Sequence, residues 1–216
     1  VNNDWHEAGN WLEGIPGAGE SAIIPSAPAS GRFPTTISGS DVTISRLNIK
    51  SGASMEVPVN KSLTLTEALS VAGTLTLKSD ASSTATLIDN GNITGTGTVQ
   101  IERYFSENAY HYFTPPVSNA MASEFSFSGG HFYWYDETNA DVNLMRGWRR
   151  PSGTLVVGRG LALHSVNNNV THVFTSSPSE LNTGNIGVTV SNSNYGIDSD
   201  GWNLIGNPYP SPVSAF

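Results

Sequence analysis

Short apolar-x-apolar triplets recur along the first half of the chain, between residues 35 and 101, and Gly-containing turns separate them. Because side chains alternate across a strand, each triplet predicts a short strand with two apolar residues on one face. Comparable triplets return after 22 residues, from Leu47 to Leu69, and after 20 residues, from Met55 to Leu75. This repeat favours about three rungs of a short right-handed β-solenoid, similar to a β-helix, although a β-meander in a sandwich has similar triplets. The triplets begin at Val42, Leu47, Met55, Leu63, Leu69, Leu75 and Val99.

The first 34 residues are rich in Gly and Pro and contain one clear strand-like run, from Ala22 to Ile24. Trp5 and Trp11 are large apolar side chains that require cover. We therefore expect this segment to cap an open end of the solenoid, and we place the capped solenoid at residues 1–104.

Aromatic residues concentrate after Arg103, where short strand-like segments alternate with Pro-, Gly- and Asn-rich turns. No helical period is present in this half, and the spacing of the segments is typical of an antiparallel sandwich. The predicted fold class is therefore all-β: a short β-solenoid followed by an antiparallel β-sandwich at residues 105–216. The strand candidates are 109–114, 131–136, 154–157, 161–166, 170–175, 186–191 and 202–205.

The net negative charge of the chain argues against some classes of binding partner. The net charge is −8, only 13% of residues are charged, and no Lys follows Lys78. A chain without a basic face has no means to hold a phosphate backbone, so we expect no nucleic-acid binding. No apolar stretch is long enough to span a membrane as a helix. The absence of Cys excludes disulfides and Cys-based metal sites.

Three segments carry a resemblance to a known group of proteins. They are the run from Asp4 to Pro25, the run from Gly95 to Tyr104, and Trp202-Asn-Leu-Ile-Gly-Asn-Pro-Tyr-Pro near the C-terminus. They resemble the solenoid regions of large secreted cell-surface proteins of Bacteroidetes, which are often exported by type IX secretion. The resemblance implies an extracellular, surface-attached location, and because members of the group differ in activity, it carries over no catalytic residue. We expect the chain to be a segment of a longer protein with further domains.

An aromatic run from His131 to Tyr135 is a candidate ligand-binding surface. In a strand, Phe132 and Trp134 face one way, and Tyr135 faces the other. An exposed, coplanar surface of Trp134, Tyr135 and Trp148 would indicate a platform for sugar rings. Core packing of the same rings is the alternative that we favour from sequence alone.

The basic residues Arg146, Arg149 and Arg150 flank Trp148. This cluster is a second candidate ligand site, which would bind an acidic glycan or a neighbouring domain with support from Arg–Trp stacking. Pairing with local carboxylates is the simpler interpretation.

Asp198 and Asp200 form a partial calcium-loop pattern, because Ca²⁺ requires several oxygen ligands close in sequence. The full twelve-residue loop is missing, and Trp202 and Leu204 stand at ligand positions. We favour an Asx-type turn and retain a weak calcium site as the alternative; no other cofactor is predicted.

Catalytic motifs are missing from the sequence: it contains no nucleophile elbow, P-loop or dinucleotide fingerprint. We therefore expect a non-catalytic region of a secreted cell-surface protein, acting as a stalk or adhesion module with a glycan or a surface protein as partner. The main alternative is a carbohydrate-binding accessory module of a secreted polysaccharide-degrading enzyme. A fragment of a lyase or hydrolase is a third option.

Overall fold

A computed structural model describes residues 2–27, 36–90, 92–139, 144–166, 168–196 and 200–213. The chain is nearly all β, which confirms the predicted fold class: a solenoid of about three turns and an antiparallel sheet. The strands of the first half are β1 (Ser21–Ile24), β2 (Val42–Ile49), β3 (Ser54–Val57), β4 (Ser62–Val71), β5 (Thr74–Leu77), β6 (Thr86–Ile88), β7 (Ile93–Thr94) and β8 (Thr98–Phe105). Those of the second half are β9 (Tyr110–Phe113), β10 (Phe132–Tyr135), β11 (Trp148–Arg149), β12 (Leu161–His164) and β13 (Val170–Ser176).

The helical segments among the described residues are short 3₁₀ turns. They are Ala8–Asn10, Ala122–Ser128, Glu137–Asn139, Leu144–Gly147 and Pro178–Glu180. None of the described helices is long and apolar enough to cross a membrane.

The chain divides into two compact units. The first comprises Val1–Tyr104, Thr171–Gly184 and Pro210–Phe216, and the second comprises Phe105–Val170 and Asn185–Tyr209. The first segment of the first unit ends at Tyr104, and two later segments of the chain also belong to this unit. One of them carries most of β13, which joins a solenoid sheet beside β8.

Parallel pairing of equivalent strands builds the solenoid of the first unit. One sheet has the order β1-β2-β4-β6, with β7 also paired to β4, and the other has the order β13-β8-β5-β3. The register aligns Leu47 with Leu69 and Met55 with Leu75. These are the two residue pairs that the 22- and 20-residue repeats predicted.

The aligned apolar positions of the triplets form stacks of buried side chains through the solenoid. Met55, Leu75 and Val99 occupy one such stack, and each is at most 1% exposed. Both apolar positions of every predicted triplet are buried. The alternating pattern therefore predicts which side chains are buried: the apolar residues point into the solenoid, and the polar residues between them, mostly Thr, Ser and Asn, point outward.

The N-terminal segment of the first unit buries Trp5, which packs edge-on against Trp11 with ring centroids 4.6 Å apart. The Trp11 indole N–H donates a 2.7 Å hydrogen bond to the main-chain oxygen of Trp5. Asp4 accepts hydrogen bonds from Ser38 and from the amide of His6, and these bonds lower its pKa. Trp5 is thus buried within its own unit, and Trp11 is partly buried beside it.

The second unit contains a four-stranded antiparallel sheet of order β11-β10-β12-β9. One face of this sheet is apolar: Phe113 and Phe132 contact Phe125 of the Ala122–Ser128 turn, with ring centroids 5.4 and 4.9 Å apart. Phe105 packs edge-on against Phe113 in the same cluster. In the described residues, this face is therefore covered by a 3₁₀ turn and not by the second sheet of a sandwich.

Three predicted strands of the second half do not form. Residues 154–157 and 202–205 contribute only isolated bridges, and 186–191 is not a strand. For the last two of these segments a physical reason is visible at Ser191, whose amide donates to Asn203 Oδ1 at 3.1 Å and whose carbonyl accepts from Asn203 Nδ2 at 2.8 Å. A side-chain amide thus satisfies the backbone groups that a neighbouring strand would otherwise pair.

Candidate functional site

The face of the antiparallel sheet opposite the phenylalanine cluster carries the candidate site. Directly paired residues of neighbouring strands point to the same face. Ala162 of β12 pairs with Tyr133 of β10 on one side and with Tyr112 of β9 on the other. Tyr135 and Trp148 form the next aligned pair on this face, at the β10–β11 edge. The register therefore gathers aromatic side chains from three strands around one small residue.

These side chains enclose a shallow aromatic hollow of about 470 Å³, lined by Tyr110, Tyr112, Tyr133, Trp148 and Ala162. Tyr110 is 56% exposed and Tyr112 is 66% exposed. Because Ala162 has only a methyl group, the centre of the face is lower than the rings around it. The result is a concave surface with apolar ring faces and polar hydroxyl and indole groups.

Trp148 is positioned by two other aromatic residues. Its ring lies 5.3 Å from that of Tyr135 and 5.9 Å from that of Trp202, while Tyr135 and Trp202 are 4.3 Å apart. Tyr135 is only 6% exposed, packs edge-on against Trp148 and does not itself line the hollow. A Cβ atom on Gly147 would overlap the Tyr135 ring, which explains why the residue before Trp148 is a glycine.

Trp134 lies on the opposite face of the sheet, because it pairs with Leu161 and Arg149. The Arg159 guanidinium stacks over its ring at 3.9 Å from the centroid, and both residues line a second hollow of about 400 Å³. A coplanar surface of Trp134, Tyr135 and Trp148, the arrangement that would have indicated a sugar platform, therefore does not form. Of these three residues, Trp148 alone lines the aromatic hollow.

The three arginines near Trp148 also occupy different positions and do not form one cluster. Arg149 pairs with Trp134 and donates hydrogen bonds to the main-chain oxygens of Arg146 and Trp148, which fold it against the local backbone. Arg146 is exposed at the end of a 3₁₀ turn. Arg150 instead reaches over Tyr133, with its Cζ atom 5.9 Å from the ring centroid.

The predicted calcium site falls partly outside the described residues, since Asp198 lies in a stretch that the structure does not describe. Asp200 accepts a 2.6 Å hydrogen bond from the amide of Gly196 through Oδ2. Within the described part of the chain, no three His, Cys, Asp or Glu side chains are grouped so that they would hold a metal ion. The calcium site stays a prediction.

Glu137 is a buried carboxylate of the second unit. It accepts hydrogen bonds from the amide and the hydroxyl of Ser193, both at 2.8 Å, and from the amide of Gly201 at 3.1 Å. These bonds, with the Ser193 amide as the largest contribution, lower the pKa of Glu137 to about 2. Such a carboxylate stays ionised and joins two loops, which is a structural role.

The sequence did not single out Tyr110 and Tyr112 as site residues, and it included Tyr133 only as a member of the aromatic run from His131 to Tyr135. Tyr110 and Tyr112 were recognised only as part of an aromatic strand. The available signal was their alternation with His111, which places both tyrosines on one face of β9. What was missing was the pairing of β9 with β12 and of β12 with β10.

A protein-family model matches residues 1–216, and it is described as a domain of unknown function (DUF8693). No curated protein and no solved structure matches the chain.

Proposed function

The chain belongs to the DUF8693 family, and from this premise we propose that it is a non-catalytic stalk or adhesion module of a secreted cell-surface protein. The aromatic hollow of the antiparallel sheet is the observation that carries the adhesion role. Exposed rings that surround a concave surface favour binding to another molecule, because such a surface is otherwise costly to leave in water.

The proposed ligand is a glycan. Tyrosine and tryptophan rings offer flat apolar faces for the C–H groups of a sugar ring, and their O–H and N–H groups reach the sugar hydroxyls. A hollow of about 470 Å³ is within the usual size range of small-ligand sites. A protein ligand on the partner cell is the other form of adhesion, and it would use the same exposed rings.

The extracellular location rests on the sequence resemblance to secreted surface proteins of Bacteroidetes. Its test is immunolabelling of intact cells that express the full-length protein, together with removal of the label by an external protease. Labelling that requires permeabilised cells would contradict the proposal.

A second candidate function is that of a carbohydrate-binding accessory module in a secreted polysaccharide-degrading enzyme. The same aromatic hollow supports it, because an accessory module also binds sugar rings. The two candidates differ in what the rest of the polypeptide does. Deletion of this module would lower the breakdown of an insoluble polysaccharide only if a catalytic domain belongs to the same protein.

The binding experiment compares the wild-type chain with Tyr112→Ala on a panel of soluble and insoluble polysaccharides. Tyr112 is mostly exposed, so its replacement removes a stacking ring without opening the core. Tyr195→Ala is the matched control, because Tyr195 is exposed and does not line the hollow. We expect Tyr112→Ala to weaken binding about tenfold, by loss of one stacked ring, and Tyr195→Ala to leave it unchanged.

Two results would contradict the proposal. Equal binding by wild type and Tyr112→Ala would show that the hollow is not the site. Release of reducing ends or unsaturated sugars from any polysaccharide by the purified chain would show that the module is catalytic.

A further inference from the structure

The aromatic hollow also carries positive charge along one edge. Arg150 lies over Tyr133, which lines the hollow, and its guanidinium is near Gly130. His164 packs against Tyr110 with ring centroids 4.8 Å apart, and His131 lies 5.9 Å from His164. A permanent cation and two imidazoles thus surround the end of the hollow at Tyr110 and Tyr133.

No negative charge opposes these groups from the sheet itself. The four strands β9 to β12 contain no Asp or Glu. The chain as a whole carries a net charge of −8, so a cation at this edge stands against an acidic average. A ligand with negative charge is therefore favoured at this edge of the hollow.

We propose that the aromatic hollow binds a glycan that contains uronic acid, with Arg150 binding the sugar carboxylate while the aromatic rings that line the hollow, Tyr112 among them, stack on the sugar rings. This inference rests on the proposed binding function of the hollow and adds the class of ligand. The planar guanidinium matches a carboxylate in a bidentate arrangement, and its position over Tyr133 places that interaction beside a stacked ring.

A single arginine favours a sugar acid over a nucleic acid. Nucleic-acid binding depends on several cations that follow a phosphate backbone, whereas among the described residues Arg150 is the one arginine that lies over a ring lining the hollow. A uronic acid carries one carboxylate per ring, which one arginine can satisfy.

Two neighbouring arginines provide a matched pair of variants. Arg150 reaches over the ring of Tyr133, whereas Arg149 pairs with Trp134 on the opposite face. Arg150→Gln and Arg149→Gln therefore remove the same charge from positions one residue apart, and the aromatic hollow loses a cation in the first variant alone. Titration calorimetry would measure the affinity of each protein for oligomers of galacturonate, glucuronate and guluronate. Each oligomer would be compared with its carboxyl-reduced, neutral counterpart.

We expect wild type to bind at least one uronate oligomer about tenfold more tightly than its neutral counterpart, as one charge-assisted hydrogen bond provides. Arg150→Gln would lose this preference while it still binds the neutral oligomer, and Arg149→Gln would behave as wild type. Equal affinity for charged and neutral oligomers throughout the panel would overturn the inference but leave glycan binding intact. Binding to neither form would overturn both this inference and the glycan ligand on which it rests.

Discussion

The main-chain carbonyl of Gly73 lies so close to Gly97 on the next rung that a Cβ atom at Gly97 would overlap it. The same carbonyl accepts a 2.8 Å hydrogen bond from the amide of Thr98, which fixes the separation of the two turns. Successive corners of the solenoid therefore stack backbone on backbone, and only glycine fits at this contact.

Gly97→Ala is expected to destabilise the protein by about 1–3 kcal/mol, because the overlapping atoms are backbone atoms that cannot move without breaking the Thr98 hydrogen bond. Urea denaturation at equilibrium measures the change in the free energy of unfolding. Gly17→Ala is the control in the same unit, where the added Cβ meets no atom closer than 3.6 Å. A loss at Gly97 no larger than that at Gly17 would contradict this account of the corner.

Leu69→Ala is expected to cost about 2–5 kcal/mol of unfolding free energy, since it opens a cavity in the middle of a side-chain stack. Leu69 is buried between Leu47 of β2 and Ile93 of β7. Ile88→Ala is the comparison, because Ile88 belongs to the same sheet but is 43% exposed. Similar losses for the two variants would mean that the stacks are not the core of the solenoid.

Acid is expected to remove the contribution that ionised Glu137 makes to the free energy of unfolding. Its pKa is about 2 in the folded chain and 4.5 for an ordinary glutamate, so the unfolded state binds more protons between these values. The stabilisation is therefore complete above pH 4.5 and is lost as the pH falls towards about 2. Denaturation curves of wild type and Glu137→Gln should differ most near neutral pH and converge in acid.

The control for this experiment is Glu13→Gln, which changes an exposed carboxylate. Its stability should follow that of wild type across the same pH range. A constant difference between wild type and Glu137→Gln at every pH would show that the hydrogen bonds of Ser193 and Gly201 do not depend on the charge of Glu137.

Two ion pairs of the solenoid should differ in strength because they differ in exposure. Arg46 and Glu67 are both exposed and 2.6 Å apart, whereas Lys78 and Glu102 are 2.5 Å apart and partly buried. Glu102 also accepts a 3.1 Å hydrogen bond from the amide of Ser79 and raises the pKa of Lys78. Double-mutant cycles should give a coupling of about 0.2–1 kcal/mol for the exposed pair and a larger value for the other. The reverse order would contradict the prediction.

The solenoid could be predicted from sequence because its stacking partners are equivalent residues of a repeat. Once Leu47 is aligned with Leu69 by the repeat, their contact follows from the parallel register. The same local pattern determines which side chains point inward. Three-dimensional information was therefore needed only for the details of the corners, such as the close approach at Gly97.

The second unit has no such repeat, and its site could be predicted only in part. Alternation within β10 correctly placed Trp134 and Tyr135 on opposite faces of the sheet. The face on which Trp148 lies, however, is set by its pairing with Tyr135 between β10 and β11. The hollow also requires the pairing of Ala162 with both Tyr112 and Tyr133. Such registers are set by contacts distant in sequence, which a single sequence does not reveal.

The path of the chain between the two units has a genetic consequence. The chain leaves the solenoid unit after Tyr104, returns at Thr171, leaves again after Gly184 and returns at Pro210. A cut between residues 104 and 105 would therefore separate β13 from its neighbour β8. Neither unit is encoded as one uninterrupted stretch, so recombination at a single junction cannot transfer one of them intact. The solenoid and the aromatic sheet are expected to be gained, duplicated and lost together.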